Sequence, residues 1–132
     1  MLTPWGYSID AQSVPEIIDV TMFNQITGNR YAGDERVESA ISAATASIRA
    51  WCGWHVAPVL QCEWTGQGEG RQMLLPCLAV RSVTSIATDG AGLAEDAYEW
   101  RPSGVVRLTR GCFPRRWRSV EAAYYAGVDA TG

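Results

Sequence analysis

The sequence contains no lysine, a single histidine (His55) and no long apolar run. Without lysine, Schiff-base catalysis and the lysine-dependent phosphate-binding loop are excluded. A Ser-His-Asp or Cys-His catalytic arrangement would have to use His55. No apolar stretch approaches the roughly 20 residues that a transmembrane helix needs, so we expect no membrane association. The N-terminus, MLTPWGYSID, lacks the charged and apolar regions of a secretory signal, which indicates a cytoplasmic site of synthesis.

The composition is that of a folded protein with one buried core. The chain has 132 residues, of which 47% are hydrophobic and 19% charged. The formal net charge of −3 is too small to indicate a partner. The charges are nevertheless uneven: residues 1–64 hold three arginines and seven acids, and residues 65–132 hold eight arginines and seven acids. The use of arginine alone could reflect a GC-rich genome as easily as a function.

The four cysteines carry little sequence signal. Because no secretory signal accompanies Cys52, Cys62, Cys77 and Cys112, we expect four reduced thiols. Cys52 and His55 are three residues apart, which leaves a thiol enzyme as an alternative, although both flank a helix end. The other cysteines lack the paired spacing of zinc ligands. The sequence therefore predicts no catalytic residue, no metal and no cofactor.

The clearest periodic segment is a predicted long amphipathic helix that begins near Asp34 and ends at Gly53. Asp34 is a suitable N-cap, and Gly53 is the natural residue to end the helix in the left-handed conformation. Apolar residues recur at spacings of three and four, which predicts one buried stripe. That stripe consists of Val37, Ile41, Ala44, Ile48 and Trp51.

The residues before this helix have no steady period. We predict an extended, partly mobile arm over 1–20, followed by a short helix from about Thr21 to Thr27. A capping box at Ser13 and Glu16 leaves an earlier helix as the alternative. Trp5 in the arm either packs on its own domain or anchors on a neighbouring subunit, since aromatic residues are enriched at interfaces.

After Pro58 the pattern changes to that of strands. Turn residues separate short segments rich in β-branched side chains. The candidate strands are 59–64, 72–75, 80–88, 97–101, 105–109 and 119–125. The sequence thus predicts an α+β fold, with an N-terminal helical part of one short and one long helix followed by an antiparallel β part. As a single domain of residues 1–132, it would divide into the arm 1–20, the helical part 21–53 and the β part 56–127.

One charge feature is distinctive. Between Arg101 and Arg118 there are six arginines and no acid, and Trp117 lies among the last of them. Such a segment is a solvated loop, a contact for an acidic protein surface, or a phosphate and base contact. We predict partner contact at Trp5, Arg110, Arg115, Arg116, Trp117 and Arg118.

Four motifs follow one another along the chain: ASIRAWCGWH at 46–55 with Pro58, LP at 75–76 with VRSVTSI at 80–86, Tyr98 with GVVRL at 104–108, and VEAAYYAG at 120–127. Their order resembles that of the head-to-tail connector (adaptor) proteins of long-tailed bacteriophages. Two departures stand beside the resemblance. Residues before the long helix are only loosely similar. Relatives often continue with a helix implicated in portal docking, whereas this chain ends at Gly132, so we expect that element to be missing or portal contact to be made otherwise.

The resemblance implies a structural protein rather than an enzyme. It implies a homo-oligomeric ring, typically of twelve subunits, between the portal protein and the next neck or tail-terminator protein. The ring would extend the DNA channel, and DNA would pass through its lumen without specific binding. The protein would be assembled in the host cytoplasm and reside in the virion neck. We expect Glu and Asp side chains to line the lumen and residues 101–118 to face protein, since cations facing DNA would bind its phosphates.

Other classes remain as alternatives. One is another neck component, such as a stopper or tail-completion protein. A second is a DNA-binding module that uses the Arg101–Arg118 segment. The third is the thiol enzyme based on Cys52 and His55.

Overall fold

The structure, a computed structural model, describes residues 1–129, so 130–132 of the predicted domain lie outside the described part. Within it the chain forms eight strands and two α-helices. In chain order they are β1 (Ser8–Ile9), α1 (Val20–Ile26), α2 (Arg36–Cys52), β2 (Leu60–Gly66), β3 (Gln72–Leu74), β4 (Val80–Thr88), β5 (Ala91–Gly92), β6 (Tyr98–Trp100), β7 (Val105–Leu108) and β8 (Val120–Ala126). One turn of 3₁₀ helix, Glu95–Ala97, precedes β6.

The strands form two antiparallel sheets around one core. The larger sheet has the order β1-β2-β8-β4-β5, and the smaller has the order β3-β7-β6. β8 lies between β2 and β4, pairing Ala126 with both Leu60 and Val80. Alternate side chains of β8 point inward and are buried, namely Val120, Ala122, Tyr124 and Ala126. They join inward residues of the smaller sheet in the hydrophobic core.

The predicted fold class is wrong. The fold is largely β, with only two short helices in the described residues, rather than an α+β arrangement of an N-terminal helical part followed by a β part. One reason is that β1 precedes both helices and pairs with β2, Ile9 lying opposite Cys62. The other is that α2 packs on the body along one narrow line and contributes little to the core.

α2 buries Val37 and Ile41 as predicted, but its buried line then departs from the predicted stripe. Its buried residues follow at spacings of four and are Val37, Ile41, Thr45 and Arg49. Ala44, Ile48 and Trp51 of the predicted stripe are exposed, Trp51 by 91%. The apolar spacing is correct for a helix, but it does not distinguish a face turned to the core from one left at the surface.

The ends of α2 follow the sequence signals. The Asp34 carboxylate accepts a hydrogen bond from the Arg36 backbone N–H at 2.9 Å. At the other end Gly53 has φ +78, and its N–H donates to the Arg49 carbonyl at 2.8 Å. Glycine adopts this left-handed conformation without the penalty that a Cβ would add, which explains the abrupt end of the helix.

The segment predicted as an extended arm contains a tight hairpin. Met1 and Ile9 exchange two backbone hydrogen bonds, the Ile9 N–H donating at 2.8 Å and the Met1 amino group at 2.7 Å. Further along, the short helix begins at Val20 because Asp19, not Thr21, caps it by accepting a bond from Met22 N–H at 2.7 Å. No helix begins at the Ser13 capping box.

Candidate functional site

The arginine-rich segment lies at the surface of the smaller sheet and in the connection from β7 to β8. Arg101 follows β6, Arg107 lies on β7, and Arg110, Arg115, Arg116 and Arg118 lie in the connection. All six are exposed, and Trp117 is 89% exposed. The structure therefore presents the predicted contact residues of this segment to solvent.

The connection is anchored at its base although its tip is exposed. Phe113 is buried, and its N–H donates to the Gly70 carbonyl at 2.7 Å. The Ser119 hydroxyl donates to the carbonyls of Arg116 at 2.7 Å and Pro114 at 3.1 Å. These bonds fix the backbone on both sides of Trp117, so the aromatic ring is held out on an ordered loop.

Arg116 forms an ion pair with Asp89, which lies between β4 and β5. This pair joins the arginine loop to the β5 edge of the larger sheet. Arg115 and Arg118 have no ion pair within residues 1–129, so their charges are available to a partner.

Trp5 lies in a different region from the arginine loop. It is half-buried and stacks on Tyr7, with ring centroids 6.1 Å apart and planes inclined by 29°. Tyr7 immediately precedes β1, which is the opposite edge of the larger sheet from β5. The structure thus does not unite the predicted contact residues in one site: it divides them between two edges.

An apolar groove runs beside α2. Its volume is about 330 Å³, and its wall is formed by Ile17, Ile18, Phe23, Ile41, Ala44 and Ile48, among others. Ile48 is 44% exposed at its rim, and the exposed Trp51 follows one turn further along the helix. A contiguous apolar surface of this kind is typical of a protein contact.

The outward face of the larger sheet has a different character. Glu63 on β2 and Glu121 on β8 are exposed there, beside Thr65 and Ser85 in a shallow depression of about 210 Å³. No arginine lines this depression. This depression is consequently polar and acidic.

A buried polar cluster surrounds His55, which is 0% exposed. Its backbone N–H donates to the Tyr7 hydroxyl oxygen at 3.0 Å, and the Tyr7 hydroxyl lies 2.7 Å from Nδ1. Nε2 lies 2.8 Å from the Ala126 carbonyl. Because a carbonyl can only accept, Nε2 carries a hydrogen and donates to Ala126.

Two thiols complete the cluster. Cys62 and Cys77 are both fully buried, and Cys77 Sγ lies 3.6 Å from the Tyr124 hydroxyl. The side-chain interaction with Cys77 raises the pKa of Cys62, and burial raises it further. The same interaction lowers the pKa of Cys77. Burial raises the pKa values of Tyr7 and Tyr124, so both phenols stay protonated.

Arg49 closes the cluster at the end of α2. Its Nε donates to the His55 carbonyl at 2.8 Å, and its Nη2 donates to the carbonyls of Ala57, at 2.7 Å, and Pro15. Burial lowers the pKa of its guanidinium. Arg49 thus joins the N-terminal segment, the helix end and the turn that leads into β2.

Sequence reasoning missed this cluster. It paired Cys52 with His55, but Cys52 is exposed, and His55 instead lies with Cys62 and Cys77. The alternation of side chains along β2 could have predicted that Cys62 points inward. The residues next to Cys77, Tyr7 and Arg49 in the sequence give no pattern that predicts their burial in the cluster.

The chain matches the model of a known protein family. Residues 16–129 match the model of a family described as HCP, head completion protein. The matched range includes β2 to β8 and both helices but not the N-terminal hairpin or Trp5. No individual curated protein matches the chain. Among residues 1–129, no helix combines the length and apolar character needed to cross a membrane.

Proposed function

The chain belongs to the head completion protein family, and from this we propose that it forms a ring that joins a bacteriophage head to its tail. The family is one of structural virion proteins, which makes the chain a structural component of the virion. Membership also confirms the resemblance to head-to-tail connector proteins. In the proposed ring, about twelve subunits lie between the portal and the next neck or tail-terminator protein, a closed symmetry of the kind that ring assemblies adopt.

The observation that carries the proposal is the separation of the contact residues onto two edges. A closed ring requires two different lateral surfaces on each subunit, one for each neighbour. The Trp5 hairpin beside β1 and the Trp117 loop beside β5 lie at opposite edges of the larger sheet. Exposed aromatic and arginine side chains are the types enriched in protein interfaces. These two edges therefore suit a head-to-tail contact between neighbouring subunits.

The apolar groove adds a surface for contact beyond the neighbouring subunits. We assign the groove beside α2, with Ile48 and Trp51 at its rim, to the portal or the following neck protein. Apolar surface exposed on a single subunit would be covered on assembly, which favours association through the hydrophobic effect.

The acidic depression on the outward face of the larger sheet is suited to line the DNA channel of the ring. Glu63 and Glu121 lie together on the outward face of the larger sheet, and no arginine lines the depression between them. A wall of this charge repels phosphates, so DNA would pass without specific binding. Replacing both glutamates with arginine should leave ring formation unchanged and create DNA retention that weakens as salt rises. Retention by the wild-type ring at physiological salt would contradict this orientation.

The test of the ring itself is native mass spectrometry with imaging of the purified chain, alone and with its portal. The expected result is a closed ring of about twelve subunits. Trp117→Ala together with Arg118→Ala should shift the population towards smaller species. Arg107→Ala is the matched control, since it removes an exposed arginine from the same segment but from a strand. A wild-type chain that stays monomeric with the portal would refute the proposal.

A DNA-binding module is the second candidate, because Trp117 is exposed beside Arg115 and Arg118. It predicts affinity for short duplexes or single strands that falls steeply with salt and is lost in Trp117→Ala. The ring proposal predicts no such binding. A stopper or tail-completion role would be distinguished by a different copy number and position in assembled necks.

A further inference from the structure

The side chains of His55, Cys62 and Cys77 converge at one point of the core. One possible ligand atom from each lies within 4.8 Å of the other two, and all three residues are buried. We propose that these residues form a structural site for a borderline-soft divalent metal ion such as Zn²⁺. Thiolate sulfur and imidazole nitrogen are the ligands that Zn²⁺ prefers.

The geometry needs only a small adjustment. Zn–S bonds of about 2.3 Å and Zn–N bonds of about 2.0–2.1 Å place tetrahedral ligands roughly 3.5–3.8 Å apart. Atoms within 4.8 Å of one another therefore need to approach by about 1.3 Å at most, which rotation of the side chains can supply.

The surroundings of His55 fit a ligand. Its Nε2–H donates to the Ala126 carbonyl at 2.8 Å, which is the outer hydrogen bond that metal-binding histidines usually make. That bond fixes the ring, and the ion would take the Nδ1 lone pair in place of the hydrogen bond from the Tyr7 hydroxyl, which lies 2.7 Å away.

The charges balance on binding. Cys62 and Cys77 each release one proton to solvent, and the two thiolates neutralise the charge of a divalent ion. A neutral site is compatible with a buried location, whereas an unneutralised ion is not. The ion would bind as the chain folds, since all three protein ligands are enclosed in the finished structure.

Such a site would connect parts that are distant in sequence. His55 follows α2, Cys62 lies on β2, and Cys77 lies between β3 and β4. Its role would be structural. It is separate from the lateral edges of the proposed ring, so either proposal can fail without the other.

The test is the metal content of the full chain, produced with Zn²⁺ and purified without chelators. We expect about one ion per chain by native mass spectrometry, lost on denaturation. Replacement with Co²⁺ should give the thiolate-to-metal absorption of tetrahedral cobalt. Cys62→Ala and Cys77→Ala should each lower the metal affinity by at least about tenfold. The matched controls are Cys52→Ala and Cys112→Ala, which remove exposed thiols and should retain the ion.

Three outcomes would overturn the proposal. One is a folded wild-type chain without metal after production and refolding in Zn²⁺, which requires no variant and so does not depend on variant folding. The second is a metal affinity that is unchanged in Cys62→Ala or Cys77→Ala, or that is lost in Cys52→Ala or Cys112→Ala. A mass lower by two hydrogens under non-reducing conditions would show a Cys62–Cys77 disulfide instead and would also overturn it.

Discussion

The Arg49 contacts give a sharp test of how the N-terminal segment is held to the turn that leads into β2. Arg49→Met preserves much of the side-chain volume but removes the donors to the carbonyls of Pro15, His55 and Ala57. Hydrogen bonds from a charged donor contribute about 1.5–3 kcal/mol each, and three on one side chain are not additive. We therefore expect the free energy of unfolding to fall by about 3–5 kcal/mol, the range seen when buried charged contacts are broken.

The measurement is urea unfolding followed by tryptophan fluorescence at a concentration where the chain is monomeric. With an m-value of about 2 kcal/mol/M, the midpoint should fall by roughly 2 M, and the slope should stay the same. Arg49→Lys should show an intermediate loss, because one ammonium cannot reproduce the divergent donors of a guanidinium. The control is Arg107→Met, which removes an exposed arginine and should change stability by no more than about 0.5 kcal/mol. Equal midpoints for Arg49→Met and Arg107→Met would refute the reasoning.

Two further predictions concern a glycine and a helix end. Gly104→Ala should lower the thermal unfolding midpoint clearly more than Gly90→Ala. Both glycines have positive φ, so the backbone strain of an added Cβ is common to the two variants. A Cβ at Gly104 would lie 2.5 Å from the Cys77 carbonyl oxygen, whereas a Cβ at Gly90 would have no atom within 4 Å. Similar thermal midpoints for the two variants would contradict that close approach. The Arg36 side chain and N–H hold the pKa of Asp34 at about 2, below its usual value of about 3.9. The stability that Asp34 contributes is thus present above about pH 4 and lost as pH falls towards 2. Between these pH values the thermal midpoint of the wild type should therefore decline more steeply than that of Asp34→Asn. Parallel curves for the two proteins would contradict this role of Asp34.

Local signals were sufficient for most elements but not for their packing. The β-branched run at 80–88 predicts β4 with its observed bounds, and Gly53 correctly ends α2. Both features depend on residues that are neighbours in sequence. The fold class was wrong because the pairing of β1 with β2 joins residues more than fifty positions apart, and a two-residue strand has no periodicity to detect.

The candidate sites show the same limit. Exposure of the arginines beside Trp117 follows from their charge, whereas the separation of Trp5 from them depends on the order of strands in the sheet. The cluster of His55, Cys62 and Cys77 could not be predicted, because it forms only where a helix end, a strand and a loop meet.

The central position of β8 has a consequence for how the protein is made. β2 and β4 precede β8 by more than thirty residues, yet each pairs with β8 and not with the other. Until residues 120–126 leave the ribosome, both strands have an unpaired edge, which is the kind of surface that recruits strands from other chains. Folding must then wait for contacts that are distant in sequence, which slows it and exposes the nascent chain to aggregation. Translation that stops before Val120 would release a chain without the middle of its larger sheet.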